Sequence, residues 1–408
     1  MAVAPTESRI QLDHNQLNLG LFGANCSGGL AVTTVPERWE ASWENNQKVA
    51  RMADECGLEF MLPLGRWKGY GGITDHNASS FETLTWASGI LASTTNLITF
   101  GTVHVSLFNP VVAAKQMVTT DHIGRGRFGL NIVCGWNIDE FEMLGVNLPD
   151  HENRYDQGQE WIDVISKVST EDEPFDYEGN FYQVRKTEIY PKPYGGSKPM
   201  IVAAGNSLRG REFAARNADM MFTNLRGDLS EVPGNVATLR DMAAGYNREI
   251  GVFSNVAVVC RPTKREAEEY YRYYAIENAD WDAVEILIEG RGLKKPGVTE
   301  EALHEARIRA AAGNGALSIV GSPDDVVALM KRLYIGGVTA LAMGFTNYLE
   351  HLPYFRDEVL PWLTHEALRA GQRFGPGPIL RRRIQKSSHR IRDHSFDRPV
   401  RRPRRVNN

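Results

Sequence analysis

The sequence of 408 residues lacks the patterns that mark most metal-binding and membrane proteins. Its four cysteines include no CxxC pair and its ten histidines form no HExxH or HxH arrangement, so we expect no metal site. No apolar run approaches the length of about 18 residues that a membrane span needs. The first residues contain no apolar core of a signal peptide, and the scattered cysteines suit a reducing compartment. These absences predict a cytoplasmic protein that does not act at a membrane.

A nicotinamide fingerprint is also missing, because no GxGxxG motif opens a helix after a strand. We therefore expect no NAD(P)H site on this chain. The net charge of −4 is unevenly spread. Residues 379–408 hold ten arginines and one lysine against two aspartates, a net charge of +9, which leaves −13 for the preceding 378 residues. An acidic body of this kind is not expected to bind nucleic acid.

Short β-type runs alternate with longer helical runs along the chain, which is typical of parallel βα units. Eight such units predict an α/β fold, and specifically a (β/α)8 TIM barrel. The predicted strands are Leu17–Phe22, Glu59–Leu62, Leu97–Val105, Phe128–Val133, Met200–Ala203, Met220–Thr223, Val252–Val259 and Ala340–Gly344.

Two stretches exceed this repeat and predict insertions after the fourth and seventh strands. Phe175–Pro193 has the character of a small hairpin. Asn278–Gly315 reads either as a partly helical lid or as a surface insertion without a catalytic role. The barrel domain is expected to span residues 15–370, between a disordered N-terminus of residues 1–14 and a basic, disordered tail of residues 371–408.

The segment Arg125–Gly145 carries the strongest functional signal. Its apolar run, Phe128–Val133, includes one amide of a type that needs partners when buried, Asn131. A helix start follows, with Asp139 and Glu140 in its first turn. An α/β barrel keeps its chemistry at the carboxyl ends of its strands. This strand is therefore predicted to lead into the functional site.

A second strand end predicts a phosphate site. Gly205, Asn206 and Ser207 end a strand and begin a helix. Amide N–H groups at a helix N-terminus attract a phosphate, and the Ser207 hydroxyl adds a donor. Arg154 supplies a charge and Tyr155 a phenol for the same group. The alternative is an ordinary helix cap beside a surface Arg–Tyr pair.

The run RFGLNIVCGWNIDEFEMLG, followed by NRYDQGQEWI and IVAAGNS, resembles the bacterial luciferase-like flavin monooxygenases. The resemblance is greatest to the branch of pyrimidine monooxygenase and dimethylsulfone monooxygenase. Further matches lie at residues 27–30, 69–72 and 75–77, and near the end at residues 319–323. The resemblance spans about residues 15–365 and implies a barrel that binds FMN. The positions that match the family's flavin-binding residues are Gly65, Arg66, Asn131, Glu140, Arg154, Tyr155 and Ser207.

The resemblance also implies roles around the reacting centre. Thr102 matches a family threonine that lines the oxygen pocket together with Asn131, although a β-branched strand residue needs no special role. A histidine recurs at the place of His76, which is expected to contact substrate or the flavin oxygen. His104 and Arg226 are expected to contact the substrate. For Arg66, whose charge could lie near the flavin ring or the substrate, a loop arginine exposed to solvent is the alternative.

The function that this resemblance implies is a two-component monooxygenase. Reduced FMN, supplied by a separate NAD(P)H-dependent flavin reductase, reacts with O2. The resulting flavin peroxide oxygenates a small organic substrate, such as a pyrimidine, a sulfone or sulfonate, or a related heterocycle or aromatic. Family habit implies a homodimer or homotetramer.

Three alternatives stay open. One is an F420-dependent oxidoreductase on the same barrel. Another is a non-catalytic flavin-binding protein, against which the presence of Thr102 and Asn131 argues. A third gives the basic tail a nucleic-acid or membrane partner, whose binding would weaken steeply with added salt.

Overall fold

Eight parallel strands close into a barrel in the computed structural model, which describes residues 11–225 and 228–369. Each barrel strand pairs with the next, and the last returns to the first, with Ala340 beside Asn18. The strands of the described part are β1 (Asn18–Phe22), β2 (Phe60–Leu62), β3 (Ile98–His104), β4 (Phe128–Val133), β5 (Phe175–Glu178), β6 (Gln183–Thr187), β7 (Met200–Ala204), β8 (Met220–Thr223), β9 (Gly251–Cys260), β10 (Leu317–Gly321) and β11 (Ala340–Gly344).

The barrel is formed by β1, β2, β3, β4, β7, β8, β9 and β11, and the predicted fold is confirmed. All eight predicted strands are present, and no end of a strand differs from its prediction by more than one residue. Alternating helices made this prediction possible, because a parallel strand needs a crossover before the next one.

Helices cover the outside of the barrel. Their starts follow ordinary capping chemistry: Ser322 and Asp325 form a capping box ahead of the last crossover helix, with Pro323 in its first turn. The helices are α1 (Trp43–Glu55), α2 (Thr83–Ser93), α3 (Pro110–Ile123), α4 (Ile138–Met143), α5 (His151–Thr170), α6 (Leu208–Asn217), α7 (Val232–Ala244), α8 (Lys264–Arg272), α9 (Trp281–Gly290), α10 (Glu300–Gly313), α11 (Pro323–Ile335), α12 (Tyr348–Glu358) and α13 (Leu360–His365).

Both predicted insertions are present. Strands β5 and β6 form an antiparallel hairpin after the fourth barrel strand, with Tyr177 opposite Val184. Helices α9 and α10 occupy the stretch after the seventh barrel strand, residues 278–315, which is called the insertion below.

Strand β10 was missed by the sequence prediction. It lies outside the closed barrel, and among the described strands it pairs with β9 alone, from Leu317 beside Val256 to Gly321 beside Cys260. Strand β9 has ten residues, and its first residues pair with β8 on the same edge. Because β8 ends at Thr223, opposite Ser254, the later residues of β9, from Val256 to Cys260, are free to pair with a ninth strand.

Aromatic side chains fill the inside of the barrel. The rings of Phe60 and Phe253 lie 4.7 Å apart, and each lies 6.1 Å from the ring of Phe100. Gly20 makes room for this layer, since a Cβ there would lie 2.3 Å from Cδ2 of Phe60. The barrel is therefore solid at mid-height, and space for a ligand exists only above the layer.

No helix of the described residues is long and apolar enough to cross a membrane. The same residues hold no group of three His, Cys, Asp or Glu side chains that could bind a metal. The predicted basic tail, residues 371–408, lies outside the described residues, as do residues 1–10 of the predicted N-terminal extension. Leu12 of that extension is buried in the barrel interior, so ordered packing begins before the predicted boundary at residue 15.

Candidate functional site

A cavity of about 480 Å³ opens at the C-terminal ends of the barrel strands. Its volume falls within the roughly 300–1,000 Å³ of small-molecule sites. The insertion supplies part of its wall through Gly290, Arg291 and Leu293. The predicted site residues that line it are Gly65, Arg66, Thr102, His104, Asn131, Arg154, Tyr155 and Ser207.

Two predicted residues do not line this cavity: Glu140 is placed behind its lining, and His76 lines a neighbouring cavity. Arg226 falls outside the described residues.

Glu140 contacts Arg66 instead of facing the cavity. Oε1 of Glu140 lies 3.1 Å from Nε of Arg66, and the two side chains are only 1% and 4% exposed. The same oxygen accepts a hydrogen bond of 2.9 Å from the backbone N–H of Trp67. Glu140 therefore positions Arg66 and its loop, and the flavin contact that the resemblance implies for Glu140 stays a prediction.

The Arg66 guanidinium lies between two aromatic rings. Its carbon is 5.0 Å from the ring centre of Tyr70 and 5.2 Å from that of Trp136. Nη1 donates a hydrogen bond to the Tyr70 hydroxyl. On the insertion side, the Arg291 guanidinium lies 5.9 Å from the Trp136 ring. Cation–π contacts of this kind are worth about 0.5–2 kcal/mol each, so they hold the wall of the cavity in one arrangement.

The floor of the cavity carries a hydrogen-bonded pair. The Thr102 hydroxyl donates to the carbonyl of Pro63 at 2.7 Å, and Nδ2 of Asn131 donates to the Thr102 hydroxyl at 3.1 Å. Oδ1 of Asn131 is buried and has no partner among the described residues. Because buried acceptors in proteins are paired, this oxygen marks a place for a ligand N–H group.

His104 lines the same floor and is 2% exposed. Burial, with a smaller contribution from the nearby Arg66 charge, lowers the pKa of His104 from 6.5 to about 3. The ring is therefore neutral at pH 7 and can accept one hydrogen bond as well as donate one. Its Nδ1 is buried without a partner in the described part of the chain.

Two further asparagines complete the polar floor, and the sequence prediction missed both. Asn255 in β9 and Asn224 just after β8 line the cavity, and each has a buried Oδ1 that no described residue pairs. Asn255 interrupts the apolar run GVFSNVAVV, which is the same signal that identified Asn131. Asn224 follows the last residue of its strand and carried no comparable signal.

The opposite end of the cavity is a helix N-terminus. Ser207 caps α6 and its hydroxyl accepts the Gly210 N–H at 3.1 Å. The Tyr155 hydroxyl lies 3.5 Å from the same oxygen. Gly210 must be a glycine here, because a Cβ would lie 2.6 Å from the Tyr155 hydroxyl. The helix terminus is thus open to a ligand, with two hydroxyl groups beside it.

Arg154 lies at this end as well. Its Nη1 donates to the carbonyl of Gly135 at 2.7 Å, which fixes the guanidinium at the rim of the cavity. A guanidinium has five N–H donors, and this bond uses one of them. Arg154, Tyr155 and Ser207 therefore come together from α5 and α6, and they form an end suited to an anion.

His76 lines a second cavity of about 320 Å³, together with Ser27, Thr33 and Thr74. Its ring stacks on Tyr70, with the ring centres 6.2 Å apart, so Tyr70 stands between His76 and the main cavity. Burial lowers the pKa of His76 from 6.5 to about 3, although the Asp280 charge opposes the shift. His76 thus lines a different cavity from the other predicted residues, and its contact with substrate or flavin stays a prediction.

Three histidines whose pKa is lowered mainly by burial, His76, His104 and His351, predict a loss of stability in mild acid. The unfolded chain binds a proton at each of them near pH 6.5, whereas the folded protein binds one only near pH 3. Stability is therefore lost as the pH falls below 6.5, by up to about 1.4 kcal/mol per pH unit for each histidine. Urea unfolding at pH 6 and pH 5 measures this slope. It should be smaller in the His76→Asn variant, and an unchanged slope would contradict the prediction.

Gly65 makes the floor possible. A Cβ at this position would lie 2.7 Å from Cε1 of His104 and 2.9 Å from Cγ2 of Thr102. We expect Gly65→Ala to lower the free energy of unfolding by about 1–3 kcal/mol through overpacking and to weaken ligand binding. Gly234→Ala is the matched control, because a Cβ there meets nothing within 4 Å. Thermal unfolding and flavin titration of the two variants test this, and equal behaviour would count against a packed floor.

A family model described as luciferase-like monooxygenase matches residues 18–340 of this chain. The chain belongs to the luciferase-like monooxygenase family. The family predicted from the sequence is thereby confirmed.

Individual members of the luciferase-like monooxygenase family are similar to this chain over most of its length. The FMNH2-dependent dimethylsulfone monooxygenase of Pseudomonas fluorescens is 30% identical over 353 residues, which cover 83% of this chain and 92% of the relative. The pyrimidine monooxygenase RutA of Allorhizobium ampelinum is 28% identical, over 84% of this chain and 95% of the relative. The crystal structure of DmoA from Hyphomicrobium sulfonivorans shares the fold, with a TM-score of 0.78 at 20% identity, and the match covers 89% of this chain and 91% of that one. The prediction of a flavin-dependent monooxygenase is confirmed at the level of the family.

Proposed function

We propose that this protein is a monooxygenase that uses reduced FMN and O2 to oxygenate a small organic substrate. The observation that supports the proposal is one cavity with two unlike ends. An anion-binding helix terminus lies at Ser207, and buried oxygens without partners among the described residues lie on the floor near Asn131. FMN has the same two polar regions, a phosphate and the N–H and carbonyl edge of its ring.

The end of the cavity near Ser207 fits the phosphate of FMN, because it combines a positive charge with several hydrogen-bond donors. Arg154 is fixed at the rim by its bond to Gly135, and Ser207 and Tyr155 add hydroxyl groups. Backbone N–H groups of the first turn of α6 complete the set. We assign these residues to the phosphate because charge-assisted hydrogen bonds and a helix N-terminus both favour an anion.

The other end of the cavity fits the polar edge of the flavin ring, because it holds buried acceptors without hydrogen-bond partners among the described residues. The buried oxygens of Asn131, Asn224 and Asn255 are acceptors that no described residue pairs. A flavin ring in the cavity would bring an N–H group toward this floor, and Phe22 and Phe222 would give it an apolar surface. Gly65 lets the β2–α2 loop approach closely enough to close one side.

Bound reduced FMN would supply the electrons that activate O2, which the protein itself does not have to provide. We assign Thr102 and Asn131 to the oxygen side of the ring, because their linked side chains lie at the bottom of the cavity. The wall formed by Tyr70, Trp136 and the insertion would exclude water from the reacting centre. His76 contributes in this scheme through its packing on Tyr70.

The substrate is proposed to be small, polar and organic. Neutral His104 offers a hydrogen-bond partner on the floor, and Arg66 offers a positive charge on the wall. The names of the relatives point to dimethylsulfone and pyrimidines as compounds of suitable size. Arg226 stays a proposed substrate contact on the ground of its sequence position.

The remaining parts of the proposal concern partners. A separate NAD(P)H-dependent flavin reductase would supply the reduced FMN, because the sequence carries no nicotinamide fingerprint. A homodimer or homotetramer in the cytoplasm is the expected setting.

Oxygen consumption with a panel of substrates tests the function. The protein is mixed with FMN, NADH and a separate flavin reductase, and pyrimidines, sulfones, sulfonates and chlorinated aromatics are added in turn. We expect one class to give a product that carries one atom from ¹⁸O₂. The Thr102→Val variant should lose most of this product, and Thr102→Ser should keep more of it. Oxidation of NADH without the reductase, or turnover with reduced F420 in the absence of O2, would overturn the proposal.

A further inference from the structure

The insertion is fastened to the loop after β1 by several backbone contacts. The N–H of Val32 donates to the carbonyl of Ala311 at 2.9 Å, and the N–H of Asp280 donates to the carbonyl of Val32 at 3.1 Å. The Thr33 hydroxyl donates to the carbonyl of Asn278 at 2.9 Å. These bonds hold the base of the insertion, but none of them reaches the cavity.

A different contact connects the insertion to the residues that face the cavity. The Asp280 side chain, 1% exposed, accepts hydrogen bonds of 2.7 Å from both the N–H and the hydroxyl of Thr74. Its other oxygen caps α9 by accepting the Ala283 N–H at 3.3 Å. Burial favours the neutral acid, but the hydrogen bonds from Thr74, Ala283 and Ile73 together outweigh it and hold the pKa of Asp280 below its usual value. One buried carboxylate thus joins α9 to the loop of residues 69–77, the glycine loop.

The backbone of the glycine loop is built for this contact. Gly72 has a φ of +72°, and a Cβ there would lie 2.4 Å from Oδ1 of Asp280 and 2.7 Å from the Ala283 nitrogen. A side chain at this position would therefore push the loop away from α9. This close approach explains why the last residue of the GYGG sequence at positions 69–72 is a glycine.

The glycine loop carries the contact on to the cavity. The N–H of Tyr70 donates to the carbonyl of His76 at 2.9 Å, and the N–H of His76 donates to the carbonyl of Gly71 at 3.3 Å, which closes the loop on itself. The hydroxyl of Tyr70 accepts from Arg66, and both residues line the cavity. Asp280 is thereby connected to Arg66 through the hydrogen-bonded glycine loop.

We propose that Asp280 and Thr74 are positioning residues that fix Tyr70, and through it Arg66, at the substrate side of the cavity. The proposal rests on the proposed function, because it gives the insertion a part in substrate placement. Asp280 touches neither the cavity nor the predicted flavin positions. Its loss should therefore affect the binding of substrate and leave the binding of FMN unchanged.

Four variants of the full chain test the proposal. Thr74→Val removes one hydroxyl bond to Asp280 and nearly keeps the shape, and Thr74→Ser restores the hydroxyl. Asp280→Asn removes the charge. Thr299→Val is the matched control, because Thr299 caps α10 of the same insertion by accepting the Ala302 N–H and does not touch the glycine loop.

The first measurement is amide hydrogen exchange of residues 69–77. Losing a buried hydrogen bond to a charged group should make exchange about tenfold faster in Thr74→Val and Asp280→Asn. Exchange should stay within about twofold of the unaltered protein in Thr74→Ser and Thr299→Val.

The second measurement is the KM for the substrate found in the oxygenation screen. In Thr74→Val and Asp280→Asn it is expected to rise about fivefold or more, while the Kd for FMN stays unchanged. Unchanged exchange, an unchanged KM, or equal effects from Thr299→Val would overturn the proposal. If the unaltered protein binds no FMN, the proposed function fails, and the exchange measurement alone decides whether Asp280 positions Tyr70.

Discussion

Replacing Glu140 with alanine is expected to lower the free energy of unfolding by about 3–5 kcal/mol and to abolish oxygenation. The variant would leave the buried charge of Arg66 without its carboxylate, and the Trp67 N–H without its acceptor. Breaking a buried ion pair from one side costs more than removing both charges, because the remaining charge stays in a poorly solvated place. Urea or thermal unfolding measures the first effect, and product formation with reduced FMN measures the second.

Two comparisons make the Glu140 result specific. Glu142→Ala removes an exposed carboxylate from the same short helix, and surface changes of this kind usually stay within about 0.5 kcal/mol. The double variant Glu140→Leu with Arg66→Met removes both charges and should recover part of the lost stability without recovering activity. A Glu140→Ala protein as stable as the Glu142→Ala protein would show that the pair does not hold the loop.

Replacing Arg154 with methionine is expected to weaken FMN binding by about 10- to 100-fold. The estimate follows from about 1.5–3 kcal/mol for a hydrogen bond to a charged group, since 1.4 kcal/mol is a factor of ten. Arg154 is held at the rim of the cavity by its bond to Gly135, so its charge is already in place before a ligand arrives. Fluorescence titration of FMN measures the change in Kd.

The ligand itself provides a control for Arg154. Riboflavin has the same ring and no phosphate, so its affinity should change less than threefold in Arg154→Met. Arg209→Met is the matched control for total charge, because Arg209 pairs with Glu152 and Asp156 on the surface and does not line the cavity. Equal losses for FMN and riboflavin, or an equal loss in Arg209→Met, would remove Arg154 from the phosphate site.

The barrel could be predicted from the sequence because its signal is local and repeated. Eight apolar runs alternate with helical ones, and each boundary is marked by caps or turns, as at Ser322 and Pro323. Strand β10 was missed although this cap directly follows it, because a run as short as Leu317–Gly321 becomes a strand through pairing with the free edge of β9. The edge is free because β9 is longer than β8, and this difference in length can be known only from the assembled sheet.

Most of the site residues that the sequence predicted line the cavity, although the sequence did not predict the direction of every side chain. Polar residues inside apolar strands indicated the floor, as Asn131 shows, and the same rule would have found Asn255. The direction in which a side chain points was not readable for Glu140, whose position in the first turn of α4 fits a ligand contact as well as a contact with Arg66. His76 likewise depended on the fold of the glycine loop, which places Tyr70 between it and the cavity.

The pairing of β9 with β10 has a consequence for how this barrel can be altered. The chain leaves β9 at Cys260 and rejoins the sheet in β10, where Leu317 pairs with Val256 on the neighbouring strand about 4.8 Å away. Because β10 lies outside the eight closed strands, the length of chain between β9 and β10 does not enter the closure of the barrel. We therefore expect the insertion to be exchangeable. Transplanting residues 278–315 together with the glycine loop between members of the family should transfer substrate preference and leave the proposed flavin site of the recipient in place.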